Sequence, residues 1–156
     1  MPGVWVFPGG AVDPEDGEGE TAHRAAAVRE LAEEAGIEIP AEELVPYSRW
    51  ITPRVVPIRF DTRFYLALAP AHSLPHPDGS ETVDAGWFQP QAALDSHRAG
   101  ELSLVFPTIK HLESLVGFAN SSEALETARS REVKPVEPEV VGEGDDRRIV
   151  LPDELP

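Results

Sequence analysis

Apolar and polar positions alternate most clearly over residues 59–68. Phe60, Thr62, Phe64, Leu66 and Leu68 fall on one face of an extended chain, and Arg59, Asp61, Arg63 and Tyr65 on the other. This predicts a strand. Shorter β-prone runs flank it: Val4-Trp5-Val6-Phe7, ended by Pro8-Gly9-Gly10; residues 43–52, a broken strand; and Glu81 to Phe88. Between Thr21 and Ala35 the pattern changes. That stretch is rich in Ala, Leu and Glu and holds no Pro or Gly, which predicts a helix. Gly36 is placed to cap its C-terminus, and Ala27, Val28, Leu31 and Ala35 are spaced to bury against a sheet. Gln89 to His97, Pro107 to Phe118 and Ser121 to Ser130 read as further helices, and residues 69–80 as a Pro/His/Gly loop. The order β, α, β, β, β, α, α predicts an α/β or mixed α+β layer architecture. We expect one domain over residues 1–130. From Glu132 onward Pro and charge dominate, so residues 131–156 are expected to form an extended acidic tail with one short strand near Arg148-Ile149-Val150-Leu151.

Composition narrows the partners. The chain has 156 residues, of which 13 are basic and 28 acidic, for a formal net charge of −15. Such a surface has no broad attraction for nucleic acid or an anionic membrane, so neither is expected as a partner. An anionic ligand would need a few placed Arg residues or bound cations. There is no cysteine, hence no disulfide or thiolate site, which agrees with a reducing cytoplasm as the expected compartment. No apolar run approaches the ~18 residues a membrane helix needs. His72 and His76 lie four apart, but in a Pro-rich loop rather than a helix, and do not read as a metal pair.

The most informative stretch is Arg29-Glu30-Leu31-Ala32-Glu33-Glu34-Ala35-Gly36-Ile37. On a helix, Glu33 and Glu34 lie about 60° and 40° to either side of Glu30, so three carboxylates share an arc of about 100°. Like charges at this spacing cost a helix a few tenths of a kcal/mol, and acids near a C-terminus also oppose its dipole. Hard divalent cations, which take oxygen ligands and keep phosphates in their shell, would offset that cost. A plain solvated acidic face is the competing explanation. Upstream, Gly9 and Gly10 follow a β-prone run, and without side chains they let backbone approach a metal or phosphate closely.

Arg29 to Ile37 resembles the second half of the Nudix box, Arg-Glu-aliphatic-x-Glu-Glu-x-Gly-aliphatic, at every specified position, and Phe7-Pro8-Gly9-Gly10 is similar to its usual opening. The resemblance implies a Nudix-type α/β/α sandwich with a mixed sheet. It also implies hydrolysis of a diphosphate bond in a nucleotide-derived small molecule, with Mg²⁺ or Mn²⁺ as cofactor. Glu33 and Glu34 would ligate the metal, with the Gly9 carbonyl as a further ligand. Glu30 would be the general base or another ligand, and Arg29 would orient it while pairing with Glu33. Glu81 falls where many relatives place a further acidic base, with Asp84 a weaker competitor. Arg59 and Arg63 share a strand face and, with Arg54, could clamp substrate phosphate; pairing with Asp61 is the alternative for that face. Trp5, Trp50 and Trp87 are expected in the core rather than stacked on adenine.

The sequence departs from the box in two ways. Gly10 and Arg29 are 19 positions apart where the usual box has 14, and the first acid of the box has no unambiguous equivalent, Glu20 being nearest and Glu18 an alternative. Only eight residues precede Gly9, so the usual N-terminal strand is expected to be missing. That would leave a sheet edge exposed, and a homodimer would be one way to pair it. Within the family, the Gly9-Gly10-Ala11-Val12-Asp13-Pro14 loop, Trp50-Ile51-Thr52-Pro53 and Arg59 to Phe64 resemble the subgroup that includes peroxisomal CoA diphosphatases. This implies CoA or acyl-CoA as substrate. Two other outcomes stay open: a Nudix-fold ligand sensor, against which the three intact acids argue, and an inactive fragment lacking its first strand.

Overall fold

The structure is a computed structural model and describes residues 3–79 and 82–154. It is mixed α/β, with four helices and a mixed sheet. The chain forms two compact units, Met1–Leu44 with Ala67–Ala124, and Val45–Leu66 with Leu125–Pro156.

The first unit is built around α1, Gly19–Ala35. Its C-terminus is closed by Gly36, whose φ of 64° is left-handed, and whose amide, with that of Ile37, returns to the carbonyls of Ala32 and Leu31. The fully buried residues of α1 are Ala22, Ala26 and Ala35, while Ala27, Val28 and Leu31 are only half-buried. The expected apolar face is thus shifted. Small Ala side chains let neighbouring chain come closest, so they disappear from solvent before Val28 does. Ala35, Ile37 and Ile39 form one core cluster, with Leu31 and Ala67 packed against it. Helices α2, Pro90–Arg98, and α3, Phe106–Val116, each open with Pro in the first turn, where its missing N–H costs nothing. They pack through Ala93, Leu94 and Leu112, with Leu102, Leu104 and Ile109 around them.

Two expected strands of this unit are not formed. Val4 to Phe7 makes a single bridge, Trp5 to Leu104, with the Trp5 amide donating to the Ser103 carbonyl at 2.8 Å. Residues 82–88 form no strand. There the apolar positions Val83, Trp87 and Phe88 are separated by Asp84-Ala85-Gly86 and do not alternate. Local bonds also take the backbone: the Thr82 amide donates to Asp78 Oδ1, and the Gly79 amide to the Thr82 carbonyl. Trp87 is 61% exposed, with its indole N–H on the Ser73 carbonyl, and Trp5 and Trp50 are half-buried, so none of the three is a core residue.

In the second unit a three-stranded sheet has the order β2-β1-β3. Strand β1 is Val45–Ile51, β2 is Asp61–Leu66 and β3 is Pro135–Val136. β1 and β2 run antiparallel with a bulge between Pro46 and Ser48, which accounts for the broken appearance of that stretch in the sequence. β3 pairs parallel with β1 through Arg49 and Trp50. A separate antiparallel pair joins β4, Glu139–Val141, to β5, Arg148–Val150. β2 is shorter than the alternating run, and Phe60 and Leu68, at its two ends, are exposed. Helix α4, Ser121–Ser130, leads into this unit, and Arg131 beyond it donates to the Tyr47 carbonyl and lies 4.7 Å over the Tyr47 ring. No helix among the described residues is long and apolar enough to cross a membrane.

Candidate active site

The Gly9–Gly10 turn folds onto the acidic face of α1. The Gly9 amide donates to Glu34 Oε2 at 2.8 Å. It is therefore the N–H of Gly9, not its carbonyl, that meets a carboxylate here. A Cβ built on Gly10 would fall on the Glu30 carboxylate, with all three of its atoms closer than 3.0 Å. Only glycine allows the turn to lie on that carboxylate. Glu34 is also met from the other side, where the Thr82 hydroxyl approaches its Oε1 at 3.4 Å. The segment that brings Thr82 is anchored to the end of α1 by the His76 amide, which donates to the Ala35 carbonyl.

Arg29 is the centre of the polar network. Its Nη1 donates to Glu30 Oε1 at 2.8 Å and to Glu33 Oε2 at 3.3 Å. Its Nε and Nη2 grip Asp16 in a bidentate pair at 3.2 and 2.9 Å, and Nη2 also reaches the Ala11 carbonyl. Asp13 lies 3.3 Å away. Asp16 belongs to a short 3₁₀ turn, Pro14–Asp16, closed by a reciprocal box in which the Asp13 amide donates to Asp16 Oδ2. Arg29 holds the Asp16 carboxyl below the usual carboxylate range, and Asp16 and Glu30 in turn raise the Arg29 guanidinium further above its already high value.

The acid that meets Arg29 from the lengthened loop is thus Asp16, neither Glu18 nor Glu20. Glu18 stands at the N-cap position of α1 without a side-chain cap bond and lends its carbonyl to the Thr21 hydroxyl, and Glu20 pairs with Arg24 one turn on. The sequence does carry a signal for Asp16: Asp13-Pro14-Glu15-Asp16 sets a turn former and Pro ahead of an acid three residues on.

The structure brings Gly9, Gly10, Arg29, Glu30, Glu33 and Glu34 together. The donors suit a hard cation in kind, being carboxylate oxygens. Glu30 Oε2 and Glu33 Oε1 receive no hydrogen bond among the described residues. Among those residues, no three His, Asp or Glu side chains are grouped closely enough to hold a metal ion. Glu81 lies outside the described residues.

The three arginines named as phosphate ligands lie in the second unit. Arg54 Nε and Arg59 Nη2 both reach Glu137 Oε1, at 3.3 and 2.7 Å, and Arg59 Nε donates to the Thr52 carbonyl. Arg63 faces Arg49 across the β1–β2 register, and it is Arg49 that grips Asp61, at 2.8 and 2.6 Å.

With this geometry in place, comparison with known proteins identifies the class. The sequence model of the NUDIX domain matches residues 1–108. A Caenorhabditis elegans protein named "Putative nudix hydrolase 7" is 30% identical over 150 residues, covering 74% of this chain and 51% of that protein. The crystal structure of a NUDIX hydrolase from Alicyclobacillus acidocaldarius superposes with a TM-score of 0.67 at 28% identity, covering 85% of this chain and 82% of that one. The chain belongs to the Nudix family and has the fold of a Nudix hydrolase. It spans about half the length of the curated relative it matches.

Proposed function

We propose that this chain is a divalent-cation-dependent Nudix hydrolase that splits the diphosphate bond of a nucleoside-diphosphate-linked small molecule. The observation that carries the reading is the Gly9–Gly10 turn lying on Glu30 and Glu34, with Arg29 tying Glu30 to Glu33. Three acids on one helix face, two of them bridged by one guanidinium and the third bonded by the Gly9 amide, are more than a solvated surface requires.

In this reading Glu33 and Glu34 hold Mg²⁺ or Mn²⁺, and Glu30 takes a proton from the attacking water or adds a ligand. When bound, the cation would neutralise the diphosphate and lower the pKa of that water. Arg29 orients Glu30. Glu34 would leave the Gly9 amide and Thr82 to join the ion, and the Gly9 carbonyl would be a further ligand. Glu81, adjacent in sequence to Thr82, is the second candidate base. Arg54, Arg59 and Arg63 are assigned to substrate phosphate, which in the case of Arg54 and Arg59 would displace Glu137. We assign residues 1–130 to the hydrolase domain. CoA or acyl-CoA is the proposed substrate, on the strength of the Gly9-Gly10-Ala11-Val12-Asp13-Pro14 loop, Trp50 to Pro53 and Arg59 to Phe64, and the cytoplasm the proposed compartment.

The test is incubation with CoA, acetyl-CoA, NADH, ADP-ribose and diadenosine polyphosphates, with Mg²⁺ and separately Mn²⁺, and chromatography of the products. Cleavage of CoA to phosphopantetheine and adenosine 3′,5′-bisphosphate, lost in Glu33→Gln and Glu34→Gln, is the expected result. Cleavage of another member of the panel would keep the hydrolase and remove CoA. A folded protein that turns over none of them would overturn the reading.

A further inference from the structure

A guanidinium has five N–H bonds, and every one on Arg29 is engaged. Two on the Nε/Nη2 edge go to Asp16, and the second on Nη2 goes to the Ala11 carbonyl. Only the two on Nη1 remain, and they divide between Glu30 Oε1 and Glu33 Oε2. Asp16 is the most enclosed partner, with its side chain 6% exposed against 14% for Glu30 and 61% for Glu33. The two-point pair therefore faces the loop, not the helix acids. Were that partner lost, the fork-shaped Nε/Nη2 edge would be free to turn onto Glu30 or Glu33, since a bidentate carboxylate is the geometry guanidinium prefers.

We propose that Asp16 is a positioning residue that holds Arg29 back from full pairing with Glu30 and Glu33, leaving one oxygen of each open to a divalent cation. The inference rests on the cation-dependent reading above. The loop before α1 thereby gains a specific role, since its acid sets how strongly an internal cation competes with an added one for the same carboxylates. Asp13, at 3.3 Å from Nη2, assists in the same sense with a longer contact.

The test is calorimetric titration of the full chain with MnCl₂ alone, without substrate. Asp16→Asn is expected to weaken Mn²⁺ binding about tenfold, roughly the worth of one strong charged contact. Removing a negative charge would weaken it somewhat in any case, so the deciding readout is a double-mutant cycle with Arg29→Gln. If Arg29 competes with the ion when Asp16 is gone, Arg29→Gln raises affinity more in the Asp16→Asn background than in the wild type. An additive cycle, or an Asp16→Asn protein that binds Mn²⁺ as the wild type does, overturns the proposal. If Asp16→Asn does not fold, Asp13→Asn is titrated instead. It is expected to weaken binding about twofold to threefold, and unchanged binding overturns the proposal as well. A wild-type protein that takes up no Mn²⁺ would remove the cation-dependent reading itself and this inference with it. Wild-type binding with an additive cycle would remove only the role of Asp16.

Discussion

Replacing Gly10 by Ala separates the stability of the site from its chemistry. The added Cβ would fall on the Glu30 carboxylate, which is the far end of a flexible side chain and not backbone. Glu30 can therefore swing aside. The stability cost belongs at the low end of the overpacking range, about 1 kcal/mol, or a fall of about 2–4 °C in Tm for a chain of this size. Activity has no such escape, because the group that moves is the proposed base. A misplacement of about 1 Å costs on the order of 100-fold in rate, equivalent to about 2.7 kcal/mol of transition-state stabilisation. Gly10→Ala should thus melt almost as the wild type does and turn over at about one-hundredth of its rate. Calorimetry and kcat at saturating substrate measure the two quantities. Gly117→Ala is the control, since its Cβ meets only the Ser114 carbonyl at an ordinary 3.8 Å. A Gly10→Ala enzyme with kcat within about twofold of wild type would refute the placement of Glu30 in the chemistry.

Glu33→Gln and Glu34→Gln are each expected to lower kcat by at least about 100-fold, the range seen when a charge-stabilising group is lost, while circular dichroism stays unchanged. Gly36→Ala should cost about 1 kcal/mol, because an L-residue must adopt a left-handed φ of 64° there, and thermal melting would show it. Asp16 titrates below its ordinary value of 3.8 because Arg29 donates to it. Its contribution to stability is accordingly present above pH 3.8 and lost as pH falls through the lower folded value. Acid-unfolding curves of wild type and Asp16→Asn should therefore diverge above that pH and approach one another below it.

Much of the fold could be read from local chemistry. The α1 helix is legible because its Ala/Leu/Glu run has no breaker and Gly36 stops it at Ala35. β2 shows in the alternation of residues 59–68, and α2 and α3 in their helix-forming runs opened by Pro. The two strands that fail do so for different reasons, one for want of a partner distant in sequence and one through bonds made locally. Val4 to Phe7 has the composition of a strand, but pairing requires a neighbour, and Trp5 finds one only at Leu104. In residues 82–88, Thr82 gives its amide to Asp78 and its carbonyl accepts from the Gly79 amide in a local turn. In the site, the helix spacing places Glu30, Glu33 and Glu34 without further information. Spacing within the helix says nothing about which residue of an insertion will reach it. Glu18 and Glu20 are nearer to Arg29 in sequence than Asp16, but the first stands at the N-cap of α1 and the second pairs with Arg24. Neither does spacing report that Glu137 would meet Arg54 and Arg59, some 80 positions away.

The pairing of β3 with β1 bears on how the molecule is made. Arg49 and Trp50 find their parallel partners only at Pro135 and Val136, and between the two strands the chain leaves the second unit at Leu66 and returns at Leu125. Contacts of such long sequence separation form slowly, because closing the loop costs entropy before the pairing returns anything. During synthesis, β1 and β2 would leave the ribosome as a hairpin and wait for nearly half of the chain to follow, with one edge of β1 unpaired. A nascent chain stalled before residue 135 would hold that edge open, a ready template for association with its neighbours.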